Sequence, residues 1–92
     1  MKRESAETVG LQALGWLVGS DEVLPAFLGS TGTSINDLAA GARDPAVLAS
    51  VLDFILTDDA LVIAFCDSAG LPYTSPLSAR AFLPGGEATH WT

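Results

Sequence analysis

The sequence predicts an all-α fold, a compact bundle of five or six short helices forming a single domain over residues 1–92. Three observations carry this reading. Apolar residues recur at three- and four-residue spacing, the period of one helix face. Glycines and prolines fall at intervals that cut the chain into helix-length pieces, with aspartate or serine at the head of several of them. No stretch reads convincingly as a strand.

The first piece runs from Ser5 to Val18. Leu11, Leu14 and Val18 fall on one stripe, with Val9, Ala13, Trp16 and Leu17 beside it, a width that suits a helix packed on two sides. In "GSDEVLPAFLGSTGTS", Ser20 or Asp21 caps a short helix through Leu28. Pro25 falls within or just after its first turn, and Gly29 and Gly32 supply the stop. In "TSINDLAAGARDP", Ser34 with Asp37 three residues on resembles a capping box, and Ile35, Leu38 and Ala39 face inward before Gly41.

Asp44 followed by Pro45 is the strongest local signal. The carboxylate accepts early free N–H groups, while proline at the first helical position gives up a donor that had no partner there. Leu48, Val51, Leu52 and Ile55 then form the inner stripe, widened by Val47, Phe54 and Leu56, and Ser50 and Asp53 mark the wet side. In "SPLSARAFLPGG", Ser75 before Pro76 starts a last short helix with Leu77, Ala81 and Phe82 toward the core, ended by Pro84, Gly85 and Gly86. The tail, residues 87–92, either docks through Trp91 or stays mobile.

The stretch "DFILTDDALVIAFCDSAGLP" sets four aspartates and the one cysteine among large apolar side chains. Asp58 and Asp59 stand where one helix meets the next, the place for an N-cap and a first turn. "ALVIAFC" is apolar on every face and predicts a helix surrounded by others. Gly70 in the left-handed conformation, Leu71 packing back and Pro72 close it, leaving Asp67 exposed.

A chain of 92 residues builds one modest core. With 49% apolar and only 16% charged residues, apolar surface is left over for a partner. Eleven acidic residues against Lys2, Arg3, Arg43 and Arg80 give a formal charge of -7, and two of those cations sit at the N-terminus. No basic stripe exists to follow a phosphate backbone, so nucleic acid is not an expected partner. A helix-turn-helix reading of Asp21 to Thr57 meets the same objection, since Asp37, Asp44 and Asp53 outnumber Arg43.

"MKRESAETVGLQALGWLVGS" has a charged start and an apolar middle, but Glu4, Glu7 and Gln12 break the signal-peptide pattern and no cleavage site follows. The apolar region from Val47 to Phe65 is interrupted by Asp53, Asp58 and Asp59, so no membrane span is expected. A lone Cys66 fits a reducing compartment, and the sequence places the protein in the cytoplasm. The neighbours Ala64 and Phe65 predict that Cys66 is buried and structural.

"LQALGWL", then "DPAVLASVLDFILTDDALVIAFCDSAGLP", then "LPGG" together resemble a family of short, uncharacterised bacterial proteins catalogued only as a domain of unknown function. The resemblance covers about Thr8 to Gly86, most specifically Asp44 to Pro72. It implies a small all-helical protein and carries over no activity, cofactor or catalytic residue.

Zinc needs clustered Cys and His, and calcium needs oxygen ligands alternating around a glycine. One Cys, one His and the adjacent Asp58 and Asp59 meet neither pattern. His90 with Ser75, Ser78 or Cys66 is the sole hydrolytic arrangement available, and its place in the tail is poor preorganisation for a general base. "GSTG" lacks the lysine and the strand-to-helix setting of a phosphate loop. No catalytic, cofactor-binding or metal residue is therefore assigned. The expectation is a non-catalytic domain that binds a protein partner or forms a homodimer, with Trp16, Trp91, Phe27 and Phe82 as partly covered aromatics. The alternative is an enzyme or small-ligand-binding protein of unrecognised type, which requires a concave site with convergent polar groups.

Overall fold

Three of the helices start where the sequence supplies a side-chain oxygen acceptor for their first N–H groups. In the computed structural model, which describes residues 1–83, Asp44 Oδ1 accepts the Ala46 N–H at 3.0 Å and Asp58 Oδ1 accepts the Ala60 N–H at 2.9 Å. Ser34 Oγ accepts the Asp37 N–H at 3.1 Å. The described residues form six α-helices, of which these three bonds start the third, fourth and fifth: α1 (Arg3–Val18), α2 (Val23–Thr31), α3 (Ile35–Ala40), α4 (Pro45–Leu56), α5 (Asp59–Ala69) and α6 (Ser75–Ala81). A short 3-10 turn, Gly41–Arg43, joins α3 to α4, and the described residues form no strand. The all-α bundle is the fold. None of these helices is long and apolar enough to cross a membrane. The tail 87–92, with His90 and Trp91, lies outside the described residues, as do Pro84, Gly85 and Gly86.

Of the two cap candidates for α2, Ser20 is the one whose Oγ meets an early amide, the Val23 N–H at 3.3 Å. The helix runs past Gly29 to Thr31, so Gly29 is not a stop; Gly32, at φ 73°, is. Only a residue without Cβ takes that conformation without strain. Gly70 ends α5 in the same way at φ 69°, and the Leu71 N–H reaches back to the Cys66 carbonyl at 2.9 Å.

The core forms where α1 lies against both α4 and α6, with α5 on the flank of α1 and α4. Leu48, Val51, Leu52 and Ile55 of α4 are buried as their spacing requires, together with Leu17, Phe27, Leu38 and Phe65. Each such side chain contributes about 1.5–3 kcal/mol of burial. Trp16 packs on Phe65 with ring centroids 5.8 Å apart, which ties α1 to α5.

Several faces differ from expectation. On α1 the buried stripe is Ala6, Val9, Gly10, Ala13, Leu14 and Leu17, while Leu11 and Val18 are exposed. Gly10 lies against Leu48 of α4, and the small residues at 6, 10 and 13 keep this side of α1 low where α4 and α6 pack on the helix, which outweighs the pull of the larger side chains. In α3 only Leu38 is buried; Ile35 and Ala39 face outward, because a six-residue helix offers the core a single position. Phe27 is fully buried and needs no partner to cover it.

On α6, Pro76 and Ala79 turn inward, with Leu83 just beyond the helix, while Leu77, Ala81 and Phe82 turn outward. Arg80 reaches Asp53 of α4 at 2.6 Å, and this fixes the rotation. The expectation that α5 is surrounded also fails. Its buried side carries Phe65 and Cys66, with Leu61, Val62 and Ala69 half-buried, and Asp59, Ala60, Ile63, Ala64 and Asp67 face away.

Candidate functional site

The four aspartates between Asp53 and Asp67 do not converge. Asp58 caps α5 and Asp59 occupies its first turn. Asp67 accepts a hydrogen bond from the Tyr73 hydroxyl at 2.7 Å, and Asp53 accepts one from Arg80 Nε. Among the described residues no three His, Cys, Asp or Glu side chains gather as a metal ligand set would.

Cys66 is 1% exposed, and its thiol lies 3.4 Å from the Pro72 carbonyl oxygen, to which it donates. Burial first, and the Asp67 charge second, push the thiol above its ordinary value. A neutral, covered thiol is a poor nucleophile. Ser75 is buried at the start of α6 and Ser78 is exposed; the histidine proposed to act on either lies outside the described residues.

Among the described residues an open groove of about 270 Å³ lies between the end of α2 and α4, lined by Ser30, Thr31, Ser50, Asp53, Phe54 and Thr57. Phe54 meets buried Phe27 edge-on, centroids 5.3 Å apart, and so is held as one wall. The spacing of Ser50, Asp53 and Phe54 puts them on one face of α4, and Thr57, its C-cap, continues that face. Thr31 and Thr57 donate their hydroxyl protons to the Phe27 and Phe54 carbonyls at 2.8 and 2.6 Å; the Thr31 oxygen also accepts the Thr33 N–H at 3.3 Å, and the Thr57 oxygen keeps its acceptor capacity. The Asp53 side chain stays 57% exposed despite its pairing with Arg80. The groove is thus a set of acceptors beside an aromatic wall, with no hydroxyl or thiol activated by a neighbouring base.

Sequence reasoning placed Ser50 and Asp53 on the wet side of their helix and stopped there. The approach of Ser30 and Thr31 depends on how α2 folds back, for which the chain carries no local signal. Outside the groove, Leu11, Val18, Ile63, Leu77 and Phe82 are large apolar side chains between 45% and 66% exposed, on α1 and α5 and along and just after α6. Among the described residues no buried side-chain nitrogen or oxygen lacks a hydrogen-bond partner.

A family model described as "Protein of unknown function (DUF3572)" matches residues 3–86, which bears out the resemblance noted above and extends it toward the N-terminus. No curated protein and no solved structure matches the chain.

Proposed function

We propose, since the chain belongs to the family described as Protein of unknown function (DUF3572), a role read from its surface: a small non-catalytic helical domain that binds another protein in the bacterial cytoplasm. The observation that carries this is the outward placement of Leu11, Val18, Ile63, Leu77 and Phe82. The helix rotations that bury small residues on α1 and α6 leave larger ones in water, and where such residues adjoin they form the apolar patches characteristic of interaction faces.

A different protein is favoured over a second copy because each chain carries a formal charge of -7. Two copies repel, while a basic partner is attracted and steered. The same charge stands against nucleic acid.

The test is affinity capture of the tagged full chain from its native cells, with partner stoichiometry measured, repeated with Leu11→Lys and Leu77→Lys. A near-stoichiometric protein retained by the wild type and lost with either variant is the expected result. Recovery of untagged copies alone would replace this reading with a homo-oligomer. Recovery of nothing, with both variants folded, would turn the search toward the small-ligand alternative.

A further inference from the structure

We infer that the groove between α2 and α4 is a seat for one cationic side chain, a lysine or arginine presented by the partner. This deepens the binding reading and rests on it. Three features of the groove favour a positive charge, beside the Arg80 guanidinium that already pairs with Asp53.

The first is Asp53, whose carboxylate faces solvent over more than half its surface while Arg80 Nε holds one oxygen from the side. The second is the placement of two helix ends. Ser30 and Thr31 close α2, and Phe54 and Thr57 stand at the close of α4, so the groove lies at the C-terminal ends of both. Such an end carries roughly half a negative charge, which a basic residue in the last turn often offsets. Neither α2 nor α4 has a basic residue in its last turn. The third is the Thr57 hydroxyl, which gives its proton to the Phe54 carbonyl and keeps its oxygen as an acceptor for an N–H donor, beside the Phe54 ring, whose face favours a nearby cation.

A volume of about 270 Å³ suits the end of a single long side chain better than a cofactor. An ammonium or guanidinium group there meets the Asp53 carboxylate and the Thr57 hydroxyl oxygen together, and its aliphatic stem lies along Phe54. An anion would meet the same groups with the wrong sign.

The experiment titrates the isotope-labelled full chain with Nα-acetyl-lysine amide, Nα-acetyl-arginine amide and the neutral Nα-acetyl-norleucine amide, reading backbone amide shifts. Saturable shifts centred on Ser30, Thr31, Ser50, Asp53 and Thr57 with the two cationic probes only are expected. They should weaken about fivefold in Asp53→Asn, the effect of one or two exposed charge pairs, and vanish in Ser50→Lys, which puts a cation in the groove and leaves Asp53 and Arg80 in place. Equal response to norleucine, shifts spread evenly over the acidic surface, or no saturable response up to about 50 mM would overturn the seat. Saturation by the cationic probes in a chain that captures no protein would leave the seat standing and remove the protein-binding reading. Capture that persists in Ser50→Lys would do the opposite.

Discussion

A Cβ placed on Gly10 would stand 2.9 Å from the Cβ of Leu48, closer than packed side chains come. Gly10 is therefore a point of close approach between α1 and α4. Alanine is the better helix former by about 1 kcal/mol, yet Gly10→Ala should destabilise the protein by about 1–3 kcal/mol because the added methyl forces α4 away. At Gly15, on the exposed face of the same helix, nothing lies within 4 Å of an added Cβ. Gly15→Ala should stabilise by about 0.5–1 kcal/mol. Urea unfolding of both variants checks this, and changes of the same sign would mean that the α1–α4 contact is looser than described.

The caps and the core separate by magnitude. Asp44→Ala and Asp58→Ala each remove one side-chain acceptor from a helix start and should cost about 0.5–2 kcal/mol. Leu52 is fully buried, and Leu52→Ala should cost about 2–5 kcal/mol through the cavity it leaves. A neutral Leu52→Ala would contradict the phase of α4.

Alkaline pH should weaken the fold through two groups at the end of α5. The Cys66 thiol is raised by burial and by Asp67, and the Tyr73 phenol by its hydrogen bond to Asp67 and then by the charge of that carboxylate. A group whose folded value is raised contributes stability that is complete below its unfolded pKa and is lost as pH rises through the folded one. Stability should therefore decline on the alkaline side of the ordinary thiol and phenol values. The chain has one tyrosine, so its ultraviolet titration reports Tyr73 directly. Asp67→Asn should move that titration down toward the ordinary phenol value; an unchanged curve would break the link. Cys66 should react with a soluble maleimide far more slowly in the native protein than in urea.

Local signals reached the sequence and long-range ones did not. Asp44, Asp58, Ser34 and Gly70 act within a few residues of themselves, so the starts of three helices and the end of α5 were legible. The inner face of α4 was legible for a related reason: its apolar residues outnumber any competing stripe. On α1, Leu11 and Val18 compete with Ala6, Gly10 and Ala13, and only the approach of α4 decides between them. On α5, Asp59 and Asp67 share a face with Ile63 and mark its wet side, a phase that the continuous apolar run "ALVIAFC" obscured. The groove was least legible, because two of its six lining residues, Ser30 and Thr31, come from a helix end about twenty residues upstream in sequence.

Arg80 and Asp53, 27 positions apart, test whether that tertiary arrangement holds. The Arg80 side chain is 14% exposed and that of Asp53 is 57% exposed, so the pair lies between a surface ion pair and a buried one. Exposed pairs contribute about 0.2–1 kcal/mol, whereas stripping the partner from a buried charge costs about 3–5 kcal/mol. Asp53→Asn should therefore cost about 1–2 kcal/mol, more than Asp21→Asn, and a double-mutant cycle with the uncharged Arg80→Met should give a coupling of about 1 kcal/mol. Because the carboxylate faces water, the coupling should shrink between low and high salt. A coupling of zero would detach α6 from α4 at this point and remove the lateral hold on the carboxylate that lines the groove.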